Sequence, residues 1–479
     1  MRRSPARSTG TVLLVAVLVL AVTAGAAVGG YFAAEQVRLP RTGSGRPPPL
    51  PTSSALAAAT NAPPPTAPPS NPPTPSATGV SLALAPKLAD PGLGSHVLAY
   101  VADAATGLPL YDHLGSAAAA PASTAKLLTA AALLSVRSPA YRITTKVVAG
   151  SAPGTVVIVG GGDPTLTAAT GTQPGAFANA ARITDLAAQL RAAHVQVTGV
   201  VVDDSLFTGP TVSPQWSAQD VPSDYAAPIT ALMADAGGTG PGNPIRSTSS
   251  DLNVGRDLVA ALGASNVPIV RGTAAAGAPT LASVQSPPLS ELIGQMLQQS
   301  DNVIAECLAR QVVLARSAAA GSAGPAQAVS FTGAATSIRA VLAGLGADPG
   351  PGLSDGSGLA ASDRLSAAGL VAVLRLIVGD AHPLLHEVIT ALPVAAWSGT
   401  LTDRYLTGSP SAAGAGMVRA KTGTLSGVSA LAGTVHDAAG RLLVFAVIAD
   451  AVAASSAGTA AAEAALDAVA ATLAGCGCN

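Results

Sequence analysis

Only four lysines occur in the chain, Lys87, Lys126, Lys146 and Lys421; Lys and Arg together number 25, so the other 21 basic residues are arginines. Where arginine is used so consistently, a lysine marks a position that calls for a compact amine able to lose its proton. Lys126 stands three residues after Ser123 in "PASTAKLL", with a proline just ahead and an Ala- and Leu-rich run behind. The pair is therefore expected on one face of the first turn of a helix, with the amine within reach of the hydroxyl. The positive end of that helix disfavours the ammonium form and presents free N–H groups. This arrangement suits nucleophilic catalysis by a serine that a neutral lysine activates. Taken alone, the same spacing also describes a surface lysine beside a capping serine.

Two further groups carry polar chemistry. Ser300, Asp301 and Asn302 fall where two helical patterns meet, in "LSELIGQMLQQSDNVIAECLARQVV". A Ser300 hydroxyl there relays a proton between Lys126 and a leaving amine, and an Asn302 amide holds a substrate backbone. The competing reading is a helix cap, for which Ser, Asp and Asn are the favoured residues. Lys421-Thr422-Gly423-Thr424 follows "GMVRA", which has the character of a strand start. Lysine and threonine grip a carboxylate, Gly423 admits a ligand close to the backbone, and the Thr424 N–H points at a reacting carbonyl. With so few lysines, K-T-G is expected by chance only about 0.04 times.

Around these groups the patterning supplies the positioning elements. Val97 to Val101 and "LPLYDH" read as a hairpin followed directly by the Ser123/Lys126 helix, and Ser429 to Val435 with Leu442 to Ile448 make a second hairpin. An Ala-rich helix from about Ser456 to Leu473 closes the chain. An antiparallel sheet with helices from both ends packed on it accounts for this layout. From Ile143 to Ser286 the chain is strand-like and Gly-rich, which reads as one or more inserted domains. "GGGDPTLT" within it lacks the Gly-Lys-Ser/Thr ending of a phosphate loop and is expected to be a strand-end turn.

The 479 residues are 49% hydrophobic, 11% charged and carry a formal net charge of -1, enough for two or three cores. No polybasic patch and an aromatic content of 3% argue against nucleic-acid partners. Arg2, Arg3 and Arg7 precede an apolar run over 12–34, long enough to span a bilayer with residues 1–11 as a cytoplasmic tail; small residues at Ala24 to Ala26 also suit cleavage. Either way the remainder is expected outside, on the outer face of the cytoplasmic membrane or released to the wall. Residues 39–78 are rich in Pro, Ala, Ser and Thr and read as an extended spacer. Cys307 is expected to be buried and Cys476 with Cys478 to form a peripheral tail pair. His382, His386 and Glu387 lack the H-E-x-x-H order, so no metal site is expected and histidine is not the expected base.

The order S-x-x-K, S-x-N, K-T-G resembles the signature set of the penicillin-binding proteins and serine β-lactamases. The long gap from Lys126 to Ser300, together with "GGGDPTLT", Trp216 with "YAAPITAL", "LSDGSGL", "SGTLTDRY" and "VRAKTGTLSGVSALAGTV", is similar to the D-alanyl-D-alanine carboxypeptidase/endopeptidases of the penicillin-binding protein 4 type, from about Ser95 to Leu473. The resemblance implies an α+β fold, a β-lactamase/transpeptidase-like antiparallel sheet flanked by helices. It divides the chain into a catalytic domain over 79–142 and 287–479 with a strand-rich insertion over 143–286. It further implies an acyl-enzyme on Ser123, with Lys126 as base and Ser300 as relay. Asn302, Lys421, Thr422, Gly423 and Thr424 then bind substrate, and the N–H groups of Ser123 and Thr424 form the oxyanion hole. The implied partners are peptidoglycan stem peptides, β-lactams as inhibitors, and the membrane through 12–34, with no cofactor. Class A β-lactamases carry a deacylating glutamate in E-x-x-L-N. Only Glu291 lies between the first two motifs here, in "ELIGQ", so fast antibiotic hydrolysis is not expected. An esterase on the same scaffold and a non-catalytic wall or β-lactam sensor are the other readings.

Overall fold

The computed structural model describes residues 72–239, 245–320 and 327–478. In chain order its main elements are α1 (Ala77–Leu88), β1 (Val97–Asp103), β2 (Pro109–His113), α2 (Lys126–Val136), β3 (Arg142–Ala149), β4 (Thr155–Val159), α3 (Ile183–Ala192) and β5 (Gly199–Asp203). Next come α4 (Ser250–Leu262), β6 (Ile269–Arg271), β7 (Thr280–Pro288), α5 (Leu289–Gln299), α6 (Asn302–Ala320), α7 (Phe331–Gly344), α8 (Ala367–Val378) and α9 (His386–Ala391). The chain finishes with β8 (Val418–Leu425), β9 (Val428–His436), β10 (Leu442–Ala449) and α10 (Ser456–Ala474).

The first sheet has the order β2-β1-β10-β9-β8 and is antiparallel throughout. Its inner strands show no polar alternation because both faces are covered. Leu98, Ala102, Ala432, Val444, Ala446 and Ile448 join one core with α2 and α8, while Val97, Ala99, Val101, Leu431, Leu443, Phe445 and Val447 join a second with α1 and α10. Gly433 is required where β8 crosses β9, since a Cβ there would lie 2.1 Å from the Arg419 carbonyl oxygen. Helix α2 is the centre of the molecule. Every side chain from Lys126 to Leu134 is buried, and α6, α7 and α8 all pack against it.

The second sheet, β6-β5-β4-β3-β7, is mixed, with β4-β5 and β5-β6 parallel and the other pairs antiparallel. Helices α3 and α4 cover it and complete its own core through Leu186, Leu190, Val254 and Leu258. The parallel pairs need crossover connections, and α3 and α4 supply them. Not all of the segment between the first two motifs belongs to this layer: Phe177, Trp216, Ala226, Ile229 and Met233 pack into the core around α2 and α6.

"GGGDPTLT" follows β4 as a turn, as expected. The spacer expected over 39–78 ends sooner than its composition suggested. Ser76 Oγ accepts from Gly79 N at 3.0 Å, and Val80 and Leu84 are buried, so a capping serine and two apolar positions one turn apart start a helix inside the Ser/Thr/Ala run. The tail at 1–11, the span at 12–34 and the spacer up to 71 lie outside the described residues, among which no single helix is long and apolar enough to cross a membrane. Cys476 and Cys478 form a disulfide, and burial raises the thiol pKa of Cys307, which leaves it unreactive.

Candidate active site

The edge strand β8, the start of α2 and the α5–α6 junction converge. Ser123 sits in a short helical turn, Ala122–Ala125, that runs directly into α2. Ala122 ahead of it has φ 46°, and Gly358 packs so tightly on the Ala122 carbonyl that a Cβ would lie 2.0 Å from its oxygen. The turn is thereby held from outside while Ser123 stays partly exposed.

Lys126 Nζ lies 2.8 Å from Ser123 Oγ, 2.6 Å from Asn302 Oδ1 and 2.8 Å from the Ser357 carbonyl oxygen. The amide oxygen and the carbonyl can only accept. A neutral amine therefore gives its two N–H groups to Asn302 and Ser357 and turns its lone pair toward the Ser123 hydroxyl. Burial lowers the Lys126 pKa to about 8 against the opposing pull of Asp355, Asp301 and Glu306.

Asn302 and Ser300 are placed by the break between α5 and α6. Ser300 ends α5 with φ 57°, in the left-handed region. Asp301 Oδ1 then accepts from Ile304 N at 2.8 Å, as an N-terminal cap does, and its other oxygen pairs with Arg246 at 3.0 Å. The expected cap is real, but Asp301 performs it, which leaves its neighbours free for the site. Asn302 is buried, with Nδ2 donating to the Tyr225 carbonyl at 3.2 Å and Oδ1 held by Lys126. Its side chain thus positions the lysine, where the sequence predicts a contact to the substrate backbone.

Ser300 Oγ lies 2.9 Å from Lys421 Nζ, so the hydroxyl expected to serve Lys126 is hydrogen-bonded to the other lysine. Lys421 also donates to the Thr422 carbonyl at 2.8 Å and is wholly buried. Burial, the Lys126 charge and Arg404 hold its pKa well below the usual lysine value. Along β8, Val418 O accepts from Ala395 N and Ala420 N donates to Pro393 O, both on the side away from β9. Antiparallel backbone groups alternate with a period of two, so the N–H groups of Thr422 and Thr424 face that same outer edge, toward Ser123. Gly423 is needed there: a Cβ would lie 2.7 Å from the Pro121 carbonyl oxygen, so the strand could not come this close to the serine turn.

Thus Ser123, Lys126 and Asn302 make one hydrogen-bonded group, and Ser300, Lys421 and Thr422 make a second facing it. Gly423 and exposed Thr424 close the wall. Two contributors were not singled out from the sequence. Thr400 Oγ1 is 2.8 Å from Thr422 Oγ1, and the Ser357 carbonyl accepts a hydrogen bond from Lys126; both lie in stretches that carry only a resemblance, "SGTLTDRY" and "LSDGSGL". Among the described residues no group of three or more His, Cys, Asp or Glu side chains is placed to hold a metal.

The family model described as D-Ala-D-Ala carboxypeptidase 3 (S13) matches residues 80–243 and 243–473. The chain is 42% identical over 338 residues to the carboxypeptidase Rv3627c of Mycobacterium tuberculosis, 70% of this chain and 71% of that one. It is 40% identical over 405 residues to the carboxypeptidase DacB of Mycolicibacterium smegmatis, 84% of both chains. Among solved structures, penicillin binding protein 4 (dacB) from Haemophilus influenzae superimposes with a TM-score of 0.66 at 21% identity, over 81% of this chain and 97% of that one.

Proposed function

The chain belongs to the D-Ala-D-Ala carboxypeptidase 3 (S13) family, and on that premise we propose that it releases the terminal D-alanine of peptidoglycan stem peptides through an acyl-enzyme on Ser123. It is a serine-type D-Ala-D-Ala carboxypeptidase, in line with the description of its family; its two mycobacterial relatives are named as carboxypeptidases. The observation that carries the residue assignment is the 2.8 Å contact between Ser123 Oγ and a Lys126 amine whose two N–H groups already have acceptors.

In this reading the Ser123 proton passes to Lys126 as Oγ bonds to the carbonyl carbon between the two D-alanines. The oxyanion is met by the N–H groups of Ser123 and Thr424, one at a helix start and one on the outer edge of β8. Collapse breaks the C–N bond, and the proton that Lys126 took from Ser123 passes through Ser300, which Lys421 holds in place, to the leaving amine, leaving Lys126 neutral. Lys421, Thr422 and Thr424 receive the carboxylate of the departing D-alanine. Water then adds to the ester, giving a proton to Lys126; the acyl C–O bond to Ser123 breaks, and Lys126 returns that proton to Ser123 Oγ, which regenerates the free serine and the neutral amine.

Penicillin acylates the same serine in this proposal; the Haemophilus influenzae relative has been solved complexed with a β-lactam. Export to the outer face of the cytoplasmic membrane, with 12–34 as tether or cleaved signal, rests on the Arg-flanked apolar run and the spacer composition. Labelling by a fluorescent penicillin, repeated with Ser123→Ala, tests the acyl-enzyme, and absence of labelling in the native protein would sink it. Release of D-alanine from a pentapeptide separates a peptidase from a sensor. The product profile from purified muropeptides separates trimming of pentapeptides from cutting of cross-links.

A further inference from the structure

The Ser357 carbonyl that accepts a hydrogen bond from Lys126 belongs to a loop, 355–360, organised around one buried carboxylate. Asp355 Oδ1 accepts from Ser357 N at 3.1 Å and Gly358 N at 2.7 Å, and Oδ2 accepts from Ala360 N at 2.8 Å. The fourth donor comes from far away in the chain: Trp216 Nε1 reaches Asp355 Oδ2 at 2.7 Å. Trp216 lies between β5 and α4, yet its ring is buried in the core around α2.

The indole is itself held edge-on by Phe331, with ring centroids 5.1 Å apart at 77°. Phe331 lies under the Arg310 guanidinium at 4.2 Å, and Arg310 pairs with Glu306 at 3.1 Å. Glu306 closes the circuit by accepting from Gly356 N, inside the same loop, at 2.9 Å. Asp355, Glu306 and Arg310 are all essentially inaccessible, so each of these bonds is made without competition from water. The loop that aims the Ser357 carbonyl is thereby clamped from two sides, by Trp216 through Asp355 and by Arg310 through Glu306.

We propose that Trp216 is a positioning residue for catalysis: its indole N–H fixes Asp355, Asp355 fixes the 355–360 loop, and the loop's Ser357 carbonyl holds the Lys126 amine with its lone pair on Ser123. The segment between the first two motifs thus supports the general base from behind, in addition to any part it takes in shaping the substrate cleft. This rests on the acyl-enzyme reading above. By burial alone Trp216 is ordinary core. What sets it apart is that its one polar atom is committed to a carboxylate already serving three backbone N–H groups of the loop that touches the lysine.

The charged groups facing Lys126 are Asp355 from this loop, Asp301 and Glu306 from the α5–α6 region, and Lys421 from β8. Asp355 is the leading opposite charge among them and favours the ammonium form. Removing that charge therefore eases deprotonation.

Two variants test the proposal in stopped-flow acylation by a penicillin, resolved into the binding constant and the acylation rate constant. Trp216→Phe keeps the ring and deletes the N–H; the expected result is an acylation rate constant lower by on the order of 10- to 100-fold with the binding constant within about twofold, because a displaced base costs rate and not affinity. Asp355→Asn is expected to move the acidic limb of the acylation rate to lower pH. A folded Trp216→Phe protein that acylates at the wild-type rate, or an Asp355→Asn limb that stays in place, overturns the proposal. Wild-type protein that is not labelled at all would instead overturn the acyl-enzyme reading.

Discussion

Ser300 Oγ stands 2.9 Å from Lys421 Nζ, which joins the second and third motifs into one hydrogen-bonded wall opposite Ser123 and Lys126. A hydroxyl held by a buried amine has its lone pairs and its proton pre-oriented, which suits transfer of a proton to a leaving amine. Ser300→Ala is expected to reduce both penicillin acylation and D-alanine release by about 100-fold or more, the range for loss of a positioned proton-transfer group. Stopped-flow acylation and a D-alanine assay measure it. Wild-type rates would remove Ser300 from the proton route.

The pH dependence follows from Lys126. Only its neutral form can take the Ser123 proton, and burial brings its pKa down to about 8. The acylation rate constant should therefore climb with pH and level off above about 8. The same shift has a stability sign. The fold favours the neutral amine, so this residue's contribution grows as pH rises from about 8 toward the usual lysine value and is lost as pH falls through about 8. Lys126→Arg places a guanidinium that does not deprotonate, and acylation should fall by about 10² to 10⁴ with no recovery at high pH. A pH profile of penicillin acylation in both proteins decides the matter.

Much of this site could be read from sequence because lysine is so scarce that Lys126 and Lys421 stood out, and because a helix start and a strand start have local signatures. The hairpins β1-β2 and β9-β10, helix α10 and the break at Ser300 were legible for the same local reason. What escaped was whatever depends on contacts distant in the chain. Asn302 and Lys126 are 176 residues apart, and no spacing rule says that the amide would face the amine rather than the substrate. Ser300 chose Lys421 over Lys126 through the fold of β8 against α5–α6. Ser357 contributes a main-chain carbonyl, which side-chain types cannot reveal. The mixed second sheet escaped as well, since parallel pairing is set by crossovers and not by the strands' own residues.

Thr400 offers a test of a residue that only the fold brings in. Its hydroxyl lies 2.8 Å from Thr422 Oγ1, so it orients the group proposed to receive the substrate carboxylate. Thr400→Val keeps the shape and removes the bond, worth about 1 kcal/mol. The expected result is a several-fold rise in KM for a D-Ala-D-Ala pentapeptide with kcat nearly unchanged. A fall in kcat at constant KM would instead assign Thr400 to the chemical step.

Lys421 yields the last prediction, on proton linkage. Burial and the neighbouring Lys126 and Arg404 charges hold its pKa well below that of an ordinary lysine, so the neutral amine is the form these surroundings favour. A substrate carboxylate placed against Thr422 and Thr424 reverses the local balance, since an opposite charge within a few ångströms favours the ammonium form. Binding should therefore take up a proton, and affinity for a D-Ala-D-Ala ligand should weaken as pH rises. Calorimetry on the Ser123→Ala protein, repeated in buffers of different ionisation enthalpy, reads this uptake directly. Lys421→Met should abolish it and weaken binding, whereas the same uptake in that variant would assign the proton to Lys126.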